Sequence, residues 1–205
     1  MKNKVISTLT AIMLAVFVIQ PTAYAEEQYD FAEESGVTEK QLSDAIYYEL
    51  SEYSNLFIYC ESEYGVNAVL LASLAALESG WARSDLAVDK NNLFGWKRSD
   101  GEYAAFESKE QCILEVAEAI SENYLSETGA YYTGDTLAEN VSEYYSPSEE
   151  WIELLKEVAD GITERCEKYE EKDEADRGTE DLQAGVYGRS GTSGSSGIEF
   201  QICPS

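Results

Sequence analysis

The sequence predicts an α+β domain that is mainly α-helical and carries one small β-hairpin. Three observations lead there: long apolar stretches with helical periodicity, two Thr/Ser-x-x-Gln capping boxes, and an Asp-Gly turn flanked by aromatic residues.

Lys2 and Lys4 precede an apolar segment over residues 5–19, and Ala23-Tyr24-Ala25 supplies small residues around a cleavage point. Residues 1–25 therefore read as a secretory signal peptide. Its apolar core is about fifteen residues, short of the roughly twenty that span a bilayer. An exported chain with no stable membrane association after signal cleavage follows, and a monomer is expected.

Residues 26–52 read as an N-terminal leader and helix. The acidic residues 26–37 have no periodicity and are expected to be loose. Thr38 and Gln41 then form a capping box, and Leu42, Ala45, Ile46, Leu50 and Tyr53 follow at helical spacing. Leu56, Phe57 and Cys60 extend the stripe to Tyr64-Gly65, where the glycine ends the helix. The main domain is expected over residues 53–169.

Residues 66–97 organise that domain. Asn67 is a candidate N-cap for the apolar run VLLASLAAL, which stops at Glu78, Ser79, Gly80 and Trp81. Leu71, Leu74 and Glu78 lie on one helix stripe, so the carboxylate extends an apolar face. A left-handed Gly80 places Glu78 in the last turn, at the edge of the core. Partial burial there, beside Trp81, disfavours the ionised form and raises the pKa, as a general acid requires.

Asp100-Gly101, with Phe94 and Trp96 before it and Tyr103 to Phe106 after it, predicts the hairpin. Ser108 and Gln111 open a further helix with Ile113, Val116, Ala117, Ile120 and Tyr124 on one face. Tyr131, Tyr132, Thr133 and Gly134 read as a loop, and residues 136–144 as a short helix. Trp151, Leu154, Leu155, Val158 and Ile162 mark a final helix. Residues 170–205, acidic and then Gly/Ser-rich, are expected to be a disordered tail.

Composition narrows the chemistry. Fourteen Lys and Arg against 40 Asp and Glu give a formal net charge of −26, which excludes electrostatic capture of nucleic acid. The chain has 0 histidines, which removes Ser-His-Asp and Cys-His nucleophilic sites and imidazole-based metal sites. Carboxylates remain as proton carriers, and neither metal nor cofactor is expected. Cys60, Cys112, Cys166 and Cys203 are too widely spaced for a C-x-x-C motif. In an exported chain they are expected to form disulfides, with a bridge among the first three.

The segments ESGWARSDLA and NNLFGWK resemble the signature of the glucosaminidase domains, glycoside hydrolase family 73, within the lysozyme superfamily. The resemblance covers residues 53–165. It implies a lysozyme-like helical fold with a small β-lobe and an endo-β-N-acetylglucosaminidase acting on peptidoglycan glycan strands in the cell-wall space. Glu78 matches the family's catalytic acid. The second acidic group of the family lies on a hairpin longer than this one. Asp100, Glu102 and Glu107 are in range, and Glu102, just after the turn, is the candidate; its competing reading is a solvated hairpin charge. The short hairpin also leaves room for the substrate's own acetamido group to take that role.

Asn91, Asn92, Phe94 and Gly95 match the family's cleft-floor motif, where asparagines are expected to bond sugar groups and glycine to allow close approach. The competing reading of the asparagines is a turn held by its own amide bonds. Trp96, Tyr131, Tyr132 and Tyr144 are candidates for stacking on sugar faces, whereas Trp81 and Trp151 are expected in the core. Two alternatives stand beside this reading. One is a muramidase or lytic transglycosylase, although those enzymes usually show a Gly-Leu-Met-Gln-like segment where this chain has NNLFGWK. The other is a catalytically silent glycan-binding module.

Overall fold

The computed structural model describes residues 29–187, with side chains for residues 29–169. The expected signal peptide and Cys203 lie outside them. Seven α-helices occur there: α1 (Glu39–Ala45), α2 (Ser54–Tyr64), α3 (Ala68–Ser79), α4 (Asp85–Lys90), α5 (Lys109–Ile120), α6 (Ala138–Tyr145) and α7 (Glu149–Tyr187). A 3-10 turn (Tyr48–Tyr53) joins α1 to α2, and a π-helical turn (Ser121–Leu125) extends α5.

Helix α3 is the axis of the fold. Every residue from Ala68 to Ala76 is buried, so this helix is apolar on all sides and must be wrapped by others. α7 packs along it and along α1, while α2 packs on both α3 and α5. Its N-terminus is secured by two side chains. Asn67 Oδ1 accepts from Leu70 N at 2.9 Å, and Glu61 Oε2 accepts from Ala68 N at 2.7 Å. A carboxylate there also complements the positive end of the helix dipole.

The stripe over residues 42–64 was expected to run as one helix, and it breaks at Tyr47 and Tyr48. Tyr48 takes φ +54°, a left-handed conformation that costs a non-glycine residue energy. Tertiary contacts offset that cost. Arg165 Nε donates to the Ala45 carbonyl at 2.5 Å, and its guanidinium lies 4.5 Å from the Tyr47 ring. Trp81 meets the same ring edge-on at 4.9 Å.

The leader also differs from expectation over residues 29–37. Phe31 is fully buried in the core, and its carbonyl accepts from Asn67 N at 2.7 Å. Asp30 forms an antiparallel bridge with Leu137. One buried aromatic thus ties down a segment whose composition alone looks loose.

The Asp100-Gly101 segment reverses the chain, with Gly101 at φ +86°, but closes the single bridge Lys97–Tyr103. No strand occurs among the described residues. The second arm bonds to the end of α4 instead, through Phe106 N to the Lys90 carbonyl at 2.9 Å. Arg98 and Asp100 pair across the turn at 2.7 Å.

The expected disulfide does not form. Cys60, Cys112 and Cys166 are all buried in the core, Cys60 and Cys112 are free thiols, and Cys166 bonds to neither. Desolvation pushes the Cys60 and Cys112 thiols up to about 12, which keeps them neutral. At the other end, α7 continues to Tyr187. The acidic run from residue 170 is therefore helical that far, in keeping with the helix propensity of Glu, Lys and Ala. No helix among the described residues is long and apolar enough to cross a membrane.

Replacing Asn67 with Ala removes the cap of α3 and the bond from Nδ2 to the Glu33 carbonyl (2.7 Å). A loss of about 1–2 kcal/mol of unfolding free energy is expected, read from urea titrations at unchanged slope.

Candidate active site

The end of α3 is built to stop abruptly. Gly80, Trp81 and Ala82 take φ values of +58°, +62° and +66°, a left-handed turn in which two members are not glycine. Such a turn needs support. Ser79, fully buried, supplies it: its hydroxyl donates to the Ala75 carbonyl at 2.5 Å and accepts from Ala82 N at 2.7 Å. Glu78 therefore sits on the last rigid turn of the most buried helix.

Its carboxyl is half-buried and lines a cleft of about 640 Å³ with Phe94, Gly95, Trp96, Lys97, Asn123 and several tyrosines. Burial raises the Glu78 pKa, and a hydrogen bond from Trp151 Nε1 to Oε1, at 2.7 Å, pulls partly the other way. The expected partner, Trp81, packs on Tyr47 instead. Trp151 is 9 % exposed and was expected to be core only. Its apolar body does pack there, and its one polar atom reaches the carboxyl.

Gly95 meets the other carboxyl oxygen. A Cβ built on it would lie 3.0 Å from Glu78 Oε2, and its φ is +61°. Both facts favour glycine. Phe94 is buried and lines the cleft, as does half-buried Trp96.

The two asparagines before them have another task. Asn92, 1 % exposed, donates from Nδ2 to the carbonyls of Trp96 (2.8 Å) and Ala104 (2.9 Å). Its Oδ1 accepts from Trp96 N at 2.9 Å and Phe94 N at 3.3 Å. All four bonds a primary amide makes are thus spent on the loop. Asn91, left-handed at φ +53°, donates to the Phe106 carbonyl at 3.0 Å. Neither lines the cleft. A sequence motif reports that an amide is needed, and does not say whether backbone or ligand uses it.

Among the aromatic candidates, Tyr131 and Tyr144 line the cleft, exposed by 43 % and 56 %, with ring centroids 5.4 Å apart. Tyr132 does not line it and donates its hydroxyl to the Gly134 carbonyl at 2.8 Å. Tyr145 was missed beside the chosen Tyr144. Its ring stacks on Trp151 at 5.6 Å, and its hydroxyl donates to the Phe94 carbonyl at 2.8 Å. Burial, and then the charge of Glu78, pushes its pKa well above the usual tyrosine value. It is a fixed neutral prop behind the carboxyl.

Glu102 is not among the residues lining the cleft with Glu78. It is exposed on the turn beyond Asp100. Asp100 is occupied with Arg98, and Glu107 lines a neighbouring groove. Among the described residues, Glu78 is the one carboxylate lining the cleft. Ring and backbone contacts hold a single raised-pKa acid in a slot walled by aromatics.

Comparison with known proteins adds to this geometry. The family model described as "Glucosaminidase: Mannosyl-glycoprotein endo-beta-N-acetylglucosaminidase" matches residues 54–175. Two proteins of Streptococcus pneumoniae, strains TIGR4 and R6, each named "Putative endo-beta-N-acetylglucosaminidase", are 33% identical over 113 residues. The alignments cover 53% of this chain but 17% and 16% of those proteins, so the chain spans about a sixth of their length. Among solved structures, Staphylococcus aureus autolysin E is similar in fold at a TM-score of 0.52 and 18% identity, over 69% of this chain and 71% of that one.

Substituting Gly95 with Ala tests the contact with Glu78. The left-handed backbone alone should cost about 1–2 kcal/mol, seen as a lower melting temperature. Displacement of the carboxyl should lower turnover more than the stability loss accounts for.

Proposed function

The chain belongs to the glucosaminidase family, and from that premise we propose that it is an exported peptidoglycan hydrolase cleaving the β-1,4 bond after N-acetylglucosamine. The observation that carries this reading is the Glu78 carboxyl, half-buried at a helix end, raised in pKa and set in an aromatic-walled cleft. In this reading Glu78 is the general acid: its proton passes to the glycosidic oxygen as the bond to the anomeric carbon breaks.

The second group is the substrate's own. With Glu78 the one carboxylate lining the cleft among the described residues, the carbonyl oxygen of the 2-acetamido group attacks the anomeric carbon and forms a cyclic oxazolinium ion. Water then opens that ring, returning a proton to the Glu78 carboxylate, and the anomeric configuration is retained. Glu102 is an onlooker. Trp96, Tyr131 and Tyr144 offer faces for sugar rings, which suits a chain whose net charge of −26 gives no attraction for anionic wall polymers. The signal peptide read from the sequence over residues 1–25 would deliver the protein to the wall.

Replacing Glu78 with Gln preserves size and should cost about a hundred- to ten-thousand-fold in clearing of purified cell walls, with the circular dichroism spectrum unchanged. Mass spectrometry of reduced digests should show N-acetylglucosamine at the new ends. Anhydro-muramic ends would overturn the bond assignment, and clearing by Glu78→Gln at the wild-type rate would favour a silent glycan-binding module.

The pH profile gives a separate check. A general acid works protonated, so activity should fall as pH climbs through the raised Glu78 pKa. The Trp151 bond stabilises the ionised carboxylate, so Trp151→Phe removes a lowering influence and should move that alkaline limb to higher pH.

A further inference from the structure

The asparagines of the NNLFG motif are spent on backbone, yet an asparagine does line the cleft. Asn123 sits in the π-helical turn Ser121–Leu125 that extends α5. Such turns take side chains out of the register of the preceding helix and recur at functional sites. This one is held on several sides. Ser121 Oγ donates to the Tyr64 carbonyl at 2.6 Å, and Ser126 N donates to the Ser121 carbonyl at 3.0 Å. Tyr131 N donates to the Asn123 carbonyl at 2.8 Å. Gly129 packs so closely that a Cβ on it would lie 2.5 Å from the same oxygen.

The side chain is oriented as well as the backbone. Asn123 Nδ2 donates to the Ala119 carbonyl at 2.9 Å. A flipped amide would set oxygen against oxygen, so chemistry assigns Oδ1 to the other end. That oxygen has no protein partner, and no side-chain polar atom among the described residues is both buried and unpartnered. Oδ1 is therefore open to solvent on a residue that lines the cleft. It is a neutral, fixed acceptor on a residue lining the same cleft as Glu78, whose Oε1 is already engaged by Trp151.

We propose that Asn123 reads the N-acetyl group of the glycan, its Oδ1 accepting a hydrogen bond from the acetamido N–H. The inference rests on the glycan reading of the preceding subsection and adds a residue that selects amide-bearing sugars. A neutral acceptor suits a neutral amide donor, since a carboxylate there would add charge beside the acid.

The test measures binding in the Glu78→Gln background, where ligand is not consumed. The two probes are chitotetraose and its analogue in which an O-acetyl ester replaces each N-acetyl amide. The ester keeps the acetyl group and neutrality but turns an oxygen toward Oδ1. A preference for the amide of about tenfold or more is expected, the value of one hydrogen bond with its unsatisfied alternative. Adding Asn123→Leu should abolish the preference, and adding Asn123→Asp, which keeps an acceptor, should retain it. A merely structural role would weaken both ligands alike. In the protein without substitution at Asn123, the side-chain amide resonances of that residue should also shift with chitotetraose and not with the ester. Equal binding of both probes, or an undiminished preference in Asn123→Leu, would overturn this inference alone. Binding of neither probe would overturn it together with the glycan reading.

Discussion

The bond from Trp151 to Glu78 is the constraint on which the rest of the site depends. A carboxyl at the end of a buried, largely apolar helix is disfavoured in its ionised form, and burial raises the Glu78 pKa. One indole N–H moderates that tendency without adding a counter-charge. To deliver it, α7 must lie along α3, which is the packing observed. The same contact that completes the core therefore moderates the raised pKa that burial gives the candidate proton donor.

A second constraint is the sharpness with which α3 ends. The left-handed turn over Gly80, Trp81 and Ala82 is intrinsically unfavourable, and buried Ser79 holds it from both sides. The turn sends the chain away from the carboxyl, leaving that end of the helix facing the cleft. The loop that returns to it is stiffened by Asn92, whose amide takes four backbone partners. Gly95 can then approach Glu78 Oε2 so closely that a Cβ there would make a tight 3.0 Å contact. Rigidity on both sides of the carboxyl is what places it, with no salt-bridge partner holding it among the described residues.

That economy of charge fits the composition. A chain at −26 cannot hold polyanionic wall material by attraction, and its cleft is walled by aromatics and backbone with one carboxylate and one lysine among the lining residues. Recognition by shape, stacking and neutral hydrogen bonds is the mode left to such a surface. A chemistry in which the substrate supplies its own nucleophile suits a cleft with one acid.

Much of this was legible in the residues themselves. Periodicity and caps located α3, α5 and α7, because local backbone satisfaction is written in residues three or four apart. The position of Glu78 at the core edge followed from one stripe and one glycine. What sequence could not decide was every question of who meets whom. Whether Trp151 is filler or donor, whether Asn92 serves ligand or loop, and whether Glu102 reaches the cleft all depend on partners 12 to 73 residues away. The break at Tyr48, the docking of Phe31 and the free thiols of Cys60 and Cys112 have the same origin. Local patterns determine which elements form and where their polar ends are satisfied. Only the packed tertiary structure assigns a side chain that can serve either core or cleft to one of them, because the choice depends on which distant atom comes within bonding distance.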